Sequence, residues 1–147
     1  MIYKIYTSYK RLMEGMKDLP LLIIRGVLVY GFYTPALYKI SDFSGTAEWF
    51  AGMGMPFPTL NAYLAGITEF LGVILLTLGL GTRIIAIPMI ITMLVAIFTV
   101  HIDHGFSAAS NGFEIPFYFI IFLFTLIVYG PGRISVDHLI SKRRRSN

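Results

Sequence analysis

The chain has 147 residues, 56% of them hydrophobic and only 14% charged, with no cysteine and a formal net charge of +4. A soluble domain of this size carries about a quarter charged residues, so a mean hydropathy of +0.72 excludes an ordinary water-soluble enzyme and points to a membrane. The missing cysteines exclude disulfides, thiolate metal sites and thiol chemistry by this chain, and basic residues that flank apolar runs favour lipid headgroups over nucleic acid as the counter-charge.

The chain opens with "MIYKIYTSYKRLMEGMKD", in which Ile2, Ile5, Tyr6, Tyr9, Leu12, Met13 and Met16 recur at spacings of three and four. Lys4, Lys10, Arg11 and Lys17 lie largely elsewhere around that face. The pattern predicts an amphipathic helix over residues 1–18 lying in the cytoplasmic interface, with docking onto a partner protein as the alternative. Asp18 is placed to cap the helix that follows, with Pro20 in its first turn.

The first long apolar run is "LPLLIIRGVLVYGFYTPALYKI", residues 19–40. It is too long for a signal peptide and lacks a small-residue cleavage site, so it reads as a retained span. Pro35 frees the Gly31 carbonyl and predicts a kink. The loop "SDFSGTAEWFAGMGMPFPTLN" carries Trp49, Phe50, Met53 and Phe57 among glycines and prolines. It predicts a short interfacial or re-entrant helix, with Trp49 as an anchor at the water boundary or part of a substrate lid.

Three more apolar runs follow, at about 60–80, 84–100 and 115–129. The last two fall short of the roughly 20 residues a span needs and are expected to draw on His101, Ile102 and Glu114. The expected fold is all-α integral membrane: a four-transmembrane-helix bundle over 19–140, an N-terminal amphipathic interfacial helix, and a basic tail at 141–147. Two turns, "GLGTRI" and "GPGRI", hint at related hairpins. Lys4, Lys10, Arg11 and Lys17 precede the first span, Arg83 lies in the turn after the second, and Arg133 and Lys142 to Arg145 follow the fourth. Positive residues stay inside, so both termini are expected in the cytoplasm and the loops near 41–59 and 101–114 outside.

Ionisable groups at membrane depth are the candidates for chemistry. Arg25 lies roughly 9 Å and Glu69 roughly 16 Å from the cytoplasmic ends of their spans, at 1.5 Å per residue. Each charge alone costs about 2.5–3.5 kcal/mol at the centre of a span, so an Arg25–Glu69 ion pair between neighbouring helices is expected. It would fix register, or line a polar pocket where Glu69 accepts a proton. Tyr30, Tyr33, Tyr38 and Tyr63 lie on the outward halves of the spans and would help to form that pocket. At the outer rim His101 and His104 are three residues apart, with Asp103 between them and Glu114 at the start of the fourth span. Two imidazoles and two carboxylates can ligate copper, zinc or iron; the bland readings are histidines bonded to water or headgroups and a glutamate favoured by its helix N-terminus.

Several of these pieces together resemble the DoxX-type membrane protein family over roughly residues 19–140: Arg25, Gly31, Lys39, "WFAGMGMPFP", "ITEFLGVILLTLGLGTR", "MLVAIFTVHIDHG" and "NGFEIPF". Leu71-Gly72 departs from a frequent glycine pair, and the opening helix and "SKRRRSN" tail lie outside the match. The resemblance implies a four-helix bundle. It also implies a role in thiosulfate–quinone oxidoreduction, in membrane-tethered redox and oxidative-stress complexes, or in maturing or exporting copper-binding peptides.

The leading expectation is an accessory subunit of a redox system in a bacterial inner membrane. Glu69 and Arg25 would handle protons, and Tyr30, Tyr33, Lys39 and Tyr63 would contact quinone or a similar carrier. No haem, flavin or iron–sulfur motif is visible, so electrons would come from a partner protein. The alternatives are a membrane partner in copper handling or peptide processing, through the outer histidines, and a non-catalytic scaffold. Self-association is left open.

Overall fold

The computed structural model describes residues 2–145, without the side chains of Ile2, Lys4, Ile5 and Arg145; the expectations for those side chains and for 146–147 lie outside the described residues. Among the described residues seven α-helices follow in order: α1 (Ile2–Gly15), α2 (Asp18–Ser41), α3 (Phe43–Gly52), α4 (Pro58–Leu78), α5 (Thr82–Ala96), α6 (Glu114–Tyr129) and α7 (Val136–Arg145). A π-helical turn (Ile97–His101) and a 3-10 turn (Ile102–His104) prolong α5, and no strand occurs among the described residues. Three helical stretches are long and apolar enough to cross a membrane: Asp18–Ser41, Pro58–Leu78 and Thr82–His104. The fourth apolar helix, α6, has 16 residues and is shorter than the roughly 20 that span a bilayer without tilt or thinning.

The bundle core is assembled from one stripe of each long helix. Leu28 and Phe32 of α2, Leu76 of α4, Met89 of α5, and Leu123 and Leu126 of α6 are all at most 2% exposed. The outer faces carry Ile23, Leu71, Ile84, Ile87 and Phe124, all exposed, as a bundle solvated by acyl chains requires. A second small cluster, Ala47, Phe50, Met55 and Ala62, fastens α3 and the loop after it onto α4. The helix in this loop matches the expectation from Trp49 and Phe50. It starts where the Asp42 side chain accepts a hydrogen bond from the Gly45 amide at 2.8 Å and stops at Gly52.

One end of the bundle, called basal here, gathers the start of α2, the end of α4, the start of α5 and the end of α6. The opposite end, the rim, carries α3 and residues 102–113. At the base α4 ends on Gly79 in the left-handed region (φ +65°), with the Leu80 amide donating to the Leu75 carbonyl and the Gly79 amide to that of Leu76. Glycine is needed twice over at 79, because a Cβ there would also lie 2.6 Å from Ser135 Cβ. The Asp137 carboxylate accepts from the Gly81 and Thr82 amides at 2.9 and 3.3 Å, capping α5 from α7. Asp18, expected to cap α2, is instead its first residue, and its carboxylate accepts from the Arg133 amide at 2.8 Å. The chain returning from α6 supplies an unpaired amide there.

Candidate functional site: an ion pair at an apolar cavity

Arg25 and Glu69 are both buried, at 4% and 2% exposure, but the structure does not pair them. Arg25 lies level with the last turn of α4. Its Nε donates to the Leu76 carbonyl (2.8 Å), one terminal nitrogen to Thr77 (2.9 Å), and the other to Pro131 (3.1 Å) and Ile134 (2.6 Å). The reason is supply and demand at a helix end. The last carbonyls of α4 lack intrahelical donors, the C-terminus carries partial negative charge, and a guanidinium offers five N–H groups in a planar fork. Glu69 is seven residues earlier on α4, about 10 Å along its axis. The expected pairing assumed a carboxylate had to be the partner; four carbonyls serve instead.

Glu69 is held by Lys39. Its Oε2 lies 2.7 Å from Lys39 Nζ, with side chains 3% and 16% exposed respectively. Lys39 sits two residues from the rim end of α2 and turns its stem inward along α4 instead of outward to water. Gly66 makes this possible: a Cβ at that position would meet Lys39 Cβ at 3.2 Å and the Phe43 ring at 2.7 Å. Lys39 was a sequence candidate for contacting a carrier, but its partnership with Glu69 was not anticipated. The signal was present: in an antiparallel α2–α4 pair, a residue near the rim end of α2 faces the first half of α4.

The pair forms part of the wall of a cavity of about 600 Å³ in the rim half of the bundle. Most of the lining is apolar, with Phe32 and Pro35 from α2, Leu64 from α4, Ile91 and Val95 from α5 and Phe119 from α6. Trp49, Phe50 and Met55 bound it toward the rim. Besides Lys39 and Glu69, its polar lining comes from Asn61, Thr68, Thr92, Thr99, His101 and Asn111. The Thr92 and Thr99 hydroxyls donate to the carbonyls four residues before them, at 3.0 and 2.7 Å, and the Asn61 amide nitrogen donates to the Pro56 carbonyl at 2.7 Å. Asn61, Thr68 and Thr92 were not recognised in the sequence; isolated hydroxyls and amides on apolar helices were the available signal.

The tyrosines do not line this cavity. Tyr30 is 86% and Tyr33 54% exposed on the outer face of α2, Tyr38 is likewise exposed, and Tyr63 stacks on Phe43 with ring centroids 4.3 Å apart. Residue spacing put them at the right depth but on the wrong side of their helices.

The rim histidines separate as well. His101 lines the cavity and closes the π-helical turn, with Nδ1 2.7 Å from the Asn111 carbonyl. A carbonyl can only accept, so Nδ1 carries the proton and Nε2 of the neutral ring is an acceptor. His104 Nδ1 lies 3.0 Å from the Val100 carbonyl. Glu114 accepts from the Ala108 amide (2.9 Å) and the Tyr118 hydroxyl (3.1 Å), and Asp103 is exposed. Among the described residues no three His, Cys, Asp or Glu side chains gather as a metal site. The two carboxylates expected beside the histidines are drawn off by the loop's own backbone and by solvent.

A membrane protein with helices of spanning length, a buried ion pair and an apolar cavity beside it is the class these features define. The chain belongs to the DoxX family, whose family model matches residues 20–102, from the first turn of α2 to the residue after the π-helical turn. It is 32% identical over 139 residues to an uncharacterized protein of Haemophilus influenzae, covering 88% of this chain and 89% of that one. It is 26% identical over 124 residues to the putative oxidoreductase CatD of Bacillus subtilis, covering 84% and 87%. It is 32% identical over 122 residues to the inner membrane protein YphA of Escherichia coli, covering 80% and 87%. No solved structure matches the chain.

Proposed function

We propose that this protein is an integral accessory subunit of a redox system in a bacterial inner membrane, and that its cavity holds quinone or a similar lipid-soluble carrier. The observation that carries the reading is the Lys39–Glu69 pair at the wall of an apolar cavity of about 600 Å³. That volume falls within the roughly 300–1,000 Å³ of small-molecule sites. Because the two charges offset one another, the cavity favours a neutral head group over an ionic one. Lys39 has three N–H donors and gives one to Glu69, which leaves two for a carbonyl oxygen of the carrier. A proton can pass between Lys39 and Glu69 without either charge being stranded alone in hydrocarbon.

A quinone takes up two electrons and two protons as it becomes a hydroquinone. The role of this chain is to bind the carrier and hold a proton near one oxygen, while a partner redox protein supplies the electrons. The name of the Bacillus subtilis relative, putative oxidoreductase, favours this direction. The proposal includes four spans with both termini cytoplasmic, α6 being the short fourth, and α1 lying in the cytoplasmic interface. Exposed Tyr6, Tyr9 and Leu12 of α1, with Lys10 and Arg11 near them, support that placement.

The test uses the chain's single tryptophan, which borders the cavity. Quinones quench indole fluorescence, so titration of the purified protein in nanodiscs with a quinone reads occupancy at Trp49. Saturable quenching is expected, weakened roughly tenfold or more in Lys39→Met, the loss of one hydrogen bond from a charged donor. Non-saturable quenching alike in wild type and Lys39→Met would remove the reading and leave an architectural role for the ion pair.

A further inference from the structure

We propose that the cavity is loaded sideways from the bilayer, through a slot between α4 and α5, and that this slot holds the hydrocarbon tail of the carrier. The inference rests on the carrier reading above and adds the route and the tail contact. Leu64 of α4 and Ile91 and Val95 of α5 both line the cavity and are exposed on the outside of the bundle, at 56%, 56% and 39%. A side chain with both properties marks an opening in the wall. All three are apolar, so the opening faces acyl chains and not a polar channel.

The two helices are joined tightly partway along their length. There Met89 packs into the space beside Gly72, its Sδ 2.5 Å from where a Cβ at 72 would stand. Two features of α5 loosen its hydrogen bonding, one beside that contact and one rimward of it. Pro88, in its interior, lacks the N–H that would hold the preceding turn, and residues 97–101 form a π-helical turn. Prolines and π turns are the places where helices bend or widen, and Pro88 and His101, one from each, line the cavity. The wall elsewhere differs in character. Phe119 of α6 packs against Phe32 of α2 with ring centroids 5.3 Å apart, although Pro35 of α2 is exposed beyond them. Toward the rim, Phe50 of α3 and Met55 of the loop after it are buried, at 6% and 7% exposure, while Trp49, Thr99 and Asn111 also line the cavity and are exposed, the last two polar. A ligand with a ring head and a hydrocarbon tail fits this shape, the head at Lys39 and Glu69 and the tail passing out between Leu64 and Val95.

The experiment narrows the slot and leaves the polar end intact. Leu64→Phe/Val95→Phe protein in nanodiscs is titrated with a decyl-tailed quinone and with its tail-less parent, read by Trp49 quenching, beside Leu64→Ala/Val95→Ala. The expected result is affinity for the tailed quinone weakened roughly tenfold in the Phe variant, within the range overpacking produces, and unchanged for the tail-less one. The Ala variant binds the tailed quinone at a faster rate than wild type. Equal affinities and rates for the tailed quinone in all three proteins would overturn the slot while leaving the carrier site standing. Absence of saturable quenching by either quinone in wild type would overturn the carrier reading and the slot with it. Solvent extraction of the purified wild type adds a second readout: an isoprenoid quinone supports the proposal, and a phospholipid in its place overturns it.

Discussion

The partner of Glu69 is the point at which sequence and structure part, and a pair of double-mutant cycles measures it. One cycle combines Lys39→Met with Glu69→Gln and the other combines Arg25→Met with Glu69→Gln, each followed by reversible unfolding in mixed micelles. At the observed 2.7 Å separation, Coulomb's law with an effective dielectric of about 20 gives Lys39 and Glu69 an attraction of about 6 kcal/mol. Desolvation offsets much of it, and breaking a buried pair from one side typically costs about 3–5 kcal/mol. Arg25 stands about 10 Å from Glu69 along the helix axis, where the same dielectric gives about 1.7 kcal/mol at most. The coupling energy of the Lys39 cycle is therefore expected to be at least twice that of the Arg25 cycle. Because removing both charges leaves no stranded ion, the Lys39→Met/Glu69→Gln protein should be more stable than either single variant. If the Arg25 cycle shows the larger coupling, the assignment of Lys39 as partner is wrong, and with it the polar end of the cavity.

Arg25→Met should cost about 3–5 kcal/mol, since it strands carbonyls that are held by a buried charged donor; Arg25→Lys should recover only part, because an ammonium lacks the planar fork. Equal stability of Arg25→Lys and wild type in the same unfolding assay would contradict the four-carbonyl clamp. Gly79→Ala should destabilise by about 2 kcal/mol or more and Gly81→Ala by about 1 kcal/mol, because both positions have positive φ but only at 79 does a Cβ meet neighbours. Asp137→Ala removes the side chain that caps α5 and should cost about 1–2 kcal/mol, with backbone amide exchange at 81 and 82 accelerated in the same variant. His101→Ala/His104→Ala should match wild type in copper, zinc and iron content by elemental analysis. A loss of one equivalent of metal in the variant would restore a rim site.

Two features of the chain limited what its sequence could say about the candidate site. Depth along a helix follows from counting residues, and the count placed Arg25 near the base and Glu69 near mid-bundle, as the structure has them. Which way a side chain points depends on the rotation of each helix. On a helix that is apolar almost all round, periodicity gives no rotation signal. Tyr30 and Tyr33 were given the right depth for that reason and the wrong side. The rim histidines failed differently: their pairing with Asp103 and Glu114 was a matter of loop path. The path chosen lets Glu114 satisfy the Ala108 amide and His101 the Asn111 carbonyl.

By itself the sequence determined that the chain is helical and membrane-bound, where the long apolar helices lie, and that a short helix with Trp49 lies in the connection between the first two of them. These follow from local quantities: hydropathy summed over a run, the positions of glycine and proline, and the cost of charge in hydrocarbon. The tertiary structure alone decided that Arg25 is satisfied by backbone carbonyls, that Lys39 belongs to Glu69, and that a cavity lies in the rim half of the bundle. Such choices are made by the rotation and spacing of helices against each other, which packing at particular points such as Gly66, Gly72 and Gly79 sets and no single stretch of chain encodes.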